Sequence, residues 1–170
     1  GETWWLHREG IEAAPPTEAQ VRFVEAVGLG DVHGLNAFAT PDYAGLLRAP
    51  LACGLTPVQL AVRTLHPESV EWLMTQGVQP DVVSAWDLGW KDYVRALLAR
   101  TPELASRREG RGGVTPLHEA VRRDDAELAR VVLSADPDLE IQDGEFHSTP
   151  LGWARHMGRD GMARLIEAQA

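Results

Sequence analysis

Six histidines, one cysteine and a run of alternating carboxylates are the residues of this 170-residue chain whose chemistry invites a site. His7, His33, His66, His118, His147 and His156 include no i, i+4 pair, the spacing that sets two imidazoles on one helix face for zinc. Asp136, Asp138, Glu140 and Asp143 alternate as in a calcium loop. However, Ile141 stands where the sharp turn needs Gly, and His147 where a closing Glu would be. Gly110-Arg111-Gly112-Gly113 could suggest a phosphate cradle but lacks the spacing and the Lys-Ser/Thr ending of a P-loop. No Gly-x-Ser-x-Gly elbow is present. Cys53 is the single cysteine, so the chain can form no internal disulfide and no cysteine zinc cluster. A catalytic reading needs nucleophile, base and electrophile together. The expectation is therefore a protein that is not an enzyme and uses no metal or cofactor.

The elements that hold these residues are repetitive. Thr115-Pro116-Leu117-His118-Glu119-Ala120 recurs 34 residues later as Thr149-Pro150-Leu151-Gly152-Trp153-Ala154, and earlier as Thr56-Pro57-Val58-Gln59-Leu60-Ala61. Two further copies lack the Thr-Pro opening, at residues 26–39 and 85–98. Aligning all five puts Ala26, Ala61, Ala85, Ala120 and Ala154 in register. The same alignment puts Gly30, Leu65, Gly89, Asp124 and Gly158 at one inter-helix turn, with steps of 35, 24, 35 and 34 residues.

The physics of one unit can be read from its residues. Thr caps a helix through its hydroxyl, and Pro is tolerated at the first helical position, where no N–H is needed. A small Ala lets two helices approach. A Gly or Asp then ends helix one, and a second apolar helix follows, such as Val70, Trp72, Leu73 and Met74. Neither helix is long enough to be stable alone, so each pair must bury its apolar face on a neighbour.

Thr115 to Ala120 carries the full Thr-Pro-Leu-His-x-Ala signature, and the chain resembles the ankyrin repeat family over about residues 17–170. The resemblance implies an all-α repeat solenoid, a stack of antiparallel helix pairs with short β-hairpin fingers. The units are placed at approximately 17–50, 51–79, 80–108, 109–140 and 141–170, with residues 1–16 as an N-terminal extension. The 24-residue step predicts that the finger between the second and third units is missing, because Gly77-Val78-Gln79-Pro80-Asp81 runs straight into the next helix. Thr17-Glu18-Ala19-Gln20 reads as a capping box on a longer first helix, as in an N-terminal cap. Arg155 and Glu167 replace inner apolar positions, as in a C-terminal cap where the array ends. In this family the histidine of the signature is a structural hydrogen-bonding group, which is the reading for His118.

The family's partners usually lie on the concave face, built from finger tips and first helices. By position, the partner-binding residues expected here are Arg63, Arg111, Val114, Arg122, Arg123, Phe146, His156 and Met157. Arginine with aromatic and apolar side chains makes a reasonable protein interface. Trp72 is assigned to packing, Trp86 to the space of the missing finger, and Trp153 to the outward side of a first helix. Trp4 and Trp5 are assigned to covering the first unit, with a partner anchor as the other reading.

The formal net charge of −9 disfavours nucleic acid and anionic membranes as general partners. No apolar run approaches 18 residues. Residues 1–10 lack the basic stretch and apolar core of a signal peptide, and Gly1 stands where Met is expected. Only Lys91 among the 16 basic residues is lysine, a bias expected of a GC-rich, bacterial coding sequence. These features predict a soluble, cytoplasmic, monomeric protein-binding module, an adaptor or regulator. The other reading is a regulatory or effector domain of a larger enzyme or secreted protein.

Overall fold

Most helix starts among the described residues are set by a local side-chain cap. Thr17 Oγ1 accepts from the Gln20 N–H at 3.2 Å while Gln20 Oε1 accepts from the Thr17 N–H at 2.8 Å, a closed capping box. Thr56 and Gln59 repeat it at 3.2 and 3.0 Å. Asp31, Asp81 and Asp125 cap further helices through the N–H groups of Gly34, Ser84 and Leu128.

The computed structural model describes residues 16–109 and 112–169. The expectations for the N-terminal extension, Trp4, Trp5 and Arg111 lie outside the described residues. Within them are ten α-helices and no sheet: α1 (Glu18–Leu29), α2 (Val32–Leu35), α3 (Pro57–Arg63), α4 (Pro67–Thr75), α5 (Val82–Asp87), α6 (Lys91–Arg100), α7 (Pro116–Arg123), α8 (Ala126–Leu133), α9 (Pro150–His156) and α10 (Asp160–Glu167). No helix among the described residues is long and apolar enough to cross a membrane.

The chain divides into two compact units, residues 1–80 and 81–170. In the first, Phe23, Val27, Leu35, Val58, Val70 and Leu73 form the core. Phe38 packs edge-on between Phe23 and Tyr43 at centroid distances of 5.2 and 5.0 Å. Ser69 ties α4 to α1 by donating to the Val27 carbonyl at 2.9 Å. Trp72 is buried, as packing requires, and its Nε1–H donates to Asn36 Oδ1 at 2.9 Å. In the second unit Leu97, Leu117, Leu128, Val132, Met162 and Ile166 form one core. Trp86 is buried there and donates to Asp125 Oδ2 at 2.8 Å.

One turn recurs in every pair. Residues 30, 65, 89, 124 and 158 all have positive φ, between 56° and 77°. At each, the turn residue's N–H bonds the carbonyl three residues back: Val27, Val62, Trp86, Val121 and Arg155. The next N–H bonds the carbonyl of Ala26, Ala61, Ala85, Ala120 or Ala154 at 2.8–3.1 Å. This is the Schellman arrangement. All five alanines are buried, so the aligned residue both ends helix one and admits its neighbour.

The fingers are turn-like. The ends of Leu51–Leu55, Glu109–Val114 and Asp143–Ser148 are each joined by a backbone bond of 2.7–3.0 Å, and among the described residues only Glu109–Val114 forms an antiparallel bridge. Between α4 and α5 there is no finger. Gly77, at φ 79°, turns the chain directly towards the Asp81 cap.

Two stability predictions follow from this geometry. Leu65 is 82% exposed at φ 63°, so its side chain bears the left-handed penalty with little burial in return. Leu65→Gly should raise stability by about 1 kcal/mol in chemical denaturation, after the extra chain entropy of Gly is deducted. Gly89→Ala should lower it by a similar amount, since nothing lies within 4 Å of the added Cβ and only conformation is at stake. Equal stabilities across these variants would contradict the turn assignment.

Glu109 is half-buried with no hydrogen-bond partner for Oε2 among the described residues. Burial, then the Asp81 carboxylate, push its carboxyl up to about 8. The unfolded chain therefore loses this proton first, and stability falls as pH rises from about 4.5 to 8. Glu109→Gln should raise stability at pH 8 by on the order of 2 kcal/mol, seen as a higher melting temperature, and leave it unchanged at pH 4. A gain that is equal at both pH values would contradict this account.

Candidate partner-binding face

The start of α7 and the last finger are joined by one imidazole. His118 is fully buried. Its Nδ1 accepts from the Thr115 N–H at 3.2 Å, taking the part that Gln20 and Gln59 play earlier in the chain. That leaves Nε2–H to donate to the Ser148 carbonyl at 2.9 Å. Burial lowers the pKa of this group, so the ring stays neutral.

Beyond Ser148 the finger closes on Asp143, which is 1% exposed. Oδ2 accepts from the Glu145 and Phe146 N–H groups at 2.9 and 2.7 Å. Oδ1 accepts from the Ser148 N–H at 3.0 Å and from Trp153 Nε1–H at 3.1 Å. Burial alone would raise this carboxyl, but the donors outweigh it and hold it well below the usual carboxylate range. The carboxylate is thus a structural knot that orders residues 145–148 against α9.

The knot presents an apolar strip. Phe146 is 68% exposed at the finger tip and meets the half-buried Trp153 edge-on at 6.1 Å. Trp153 in turn stands edge-on to His118 at 5.2 Å. Met157, one helical turn beyond Trp153, is 42% exposed, with exposed His156 beside it.

The arginines of the same face are engaged. Arg122 bonds Glu119 Oε2 through Nη2 at 2.7 Å and Nε at 3.1 Å. Arg123 donates Nε to the same oxygen at 3.2 Å and both terminal nitrogens to Asp87 of α5. These arginines outweigh the effect of burial on Glu119 and keep it ionised. Arg122 and Arg123 are therefore electrically balanced, and Arg123 serves as a strut between α5 and α7. Val114 is half-buried at the finger bridge. Arg63 is exposed at the end of α3 in the first unit. Asp143 and Trp153 are the residues that position reasoning missed. In sequence Asp143 stood out only as part of an incomplete calcium-loop pattern, and the one hint of its role was its spacing of five from Ser148.

Removing the carboxylate should loosen the finger. Asp143→Asn turns an NH2 group towards N–H donors, and should cost about 2 kcal/mol at neutral pH. It should also speed hydrogen exchange of the Phe146 and Ser148 amides. The contribution of Asp143 is present above the unfolded carboxyl pKa and is lost as pH falls below it. The wild type and variant should therefore converge in acid. Unchanged exchange at these amides would contradict this role.

Residues 112–143, from the glycine turn through α7 and α8 to Asp143, match the family model described as Ankyrin repeat. No curated protein sequence matches the chain. That match identifies an ankyrin repeat at residues 112–143, and the same left-handed turn ends the first helix of each of the five pairs.

Proposed function

We propose that residues 81–170 hold a protein partner on the strip made by Phe146, Trp153 and Met157, with Val114, Arg122, Arg123 and His156 along its border. Ankyrin repeats generally mediate protein–protein interaction and are typically non-catalytic. The observation that carries the reading is the exposed Phe146 on a finger held rigid by Asp143. An aromatic anchor that is ordered before binding loses little entropy on docking. The balance of Arg122 and Arg123 by Glu119 and Asp87 makes the apolar strip, rather than net positive charge, the source of affinity. The chain acts in this reading as an adaptor or regulator.

Affinity capture with the full chain, followed by mass spectrometry, tests the assignment. Phe146→Ala with Met157→Ala should weaken capture of the specific partner roughly tenfold or more, the loss expected of hot-spot truncation. Arg122→Glu with Arg123→Glu should weaken it less and should also lower stability, because the α5–α7 strut is lost. Capture unaffected by the Phe146 and Met157 changes would refute the strip as the interface.

A further inference from the structure

A second surface lies away from the finger strip, between the second helices of the last two pairs. There α8 and α10 leave a groove of about 330 Å³. Ala126, Leu165 and Ala168 give it an apolar lining. Gly161 opens it further. This glycine is exposed in the first turn of α10, has no positive φ, and nothing lies within 4 Å of where its Cβ would stand. Glycine weakens a helix relative to alanine, and neither backbone geometry nor packing in the chain requires it here. It permits close approach from outside.

The charge around the groove is one-sided. Arg130 of α8 and Arg164 of α10 are exposed, line the groove, and form no ion pair among the described residues. Lys91, Arg95, Arg122, Arg123, Arg155 and Arg159 of this unit are paired, and Arg100, Arg107 and Arg108 are unpaired among the described residues but do not line the groove. The one carboxylate in the lining, Asp124, is engaged by Arg159 at 3.4 Å.

We infer that this groove is a docking site for an amphipathic helical segment of a partner, with an apolar stripe flanked by Asp or Glu. Both walls are eight-residue helices, about 12 Å long at the α-helical rise. That length suits two turns of a bound helix, read through i, i+3/i+4 and i+7 anchors. The anchors would seat over Gly161 between Ala126 and Leu165, and flanking carboxylates would meet Arg130 and Arg164.

The test uses the full chain and two fluorescent peptides of about 15 residues, long enough for nascent helix. Both carry Leu at i, i+3, i+4 and i+7. One has Glu at the flanking positions and the other has Lys. By fluorescence anisotropy the Glu peptide should bind roughly tenfold or more tightly than the Lys peptide, and the preference should shrink with added salt. Arg130→Glu with Arg164→Glu should reverse the preference. Gly161→Leu should fill the groove and abolish binding while leaving the melting temperature no lower than that of the wild type. Phe146→Ala with Met157→Ala should leave peptide binding unchanged. Equal binding of the two peptides, binding of neither, or full binding to a folded Gly161→Leu variant would overturn the inference.

Discussion

The left-handed turn that ends each first helix is the constraint on which the rest of the structure depends. In every pair it makes the same two backbone bonds, and the second of these always ends on the carbonyl of a buried alanine. These bonds satisfy carbonyls that a helix end would otherwise leave unpaired. They also reverse the chain within one residue, so the second helix starts already facing the first. The first helices of the last four pairs have only six to eight residues and would not persist alone. Their stability is tertiary, and the turn makes the tertiary contact local and repeatable.

The proposed interface lies on what this scaffold leaves at its edges. A buried neutral histidine links α7 to the next finger, and a buried carboxylate shapes that finger. The consequence is an aromatic side chain exposed at a defined place. The scaffold uses its arginines differently. Arg123 spans from α7 to α5 and is spent on structure, whereas Arg130 and Arg164 face outward without a carboxylate. Side chains of one type thus take two roles, decided by whether Asp or Glu lies within reach on the same or a neighbouring helix.

Much of the fold was legible because its signals are local. Thr-Pro openings, the aligned alanines and the turn positions report hydrogen bonds made within six residues. The same holds for the Thr17–Gln20 capping box and for the missing finger. The candidate site was legible only in part. Family position marked Phe146, Met157 and the arginines, but it could not show that Glu119 and Asp87 neutralise Arg122 and Arg123, because Asp87 lies 36 residues away in sequence. Asp143 was misread for a related reason. Its four donors include a tryptophan ten residues on and three backbone groups whose direction only the folded finger sets. The fingers read as β-hairpins, yet among the described residues only Glu109–Val114 forms a bridge and none forms a ladder.

The most direct test of the account is the sign of the backbone φ angle at residues 30, 65, 89, 124 and 158, measured in solution by scalar and residual dipolar couplings. Leu65 and Asp124 decide it, because neither is a glycine and only the turn compels them into the left-handed region. The account predicts positive φ at all five positions. Negative φ at Leu65 or Asp124 in the folded protein would contradict it, since the bonds to Ala61 and Ala120 could not then form.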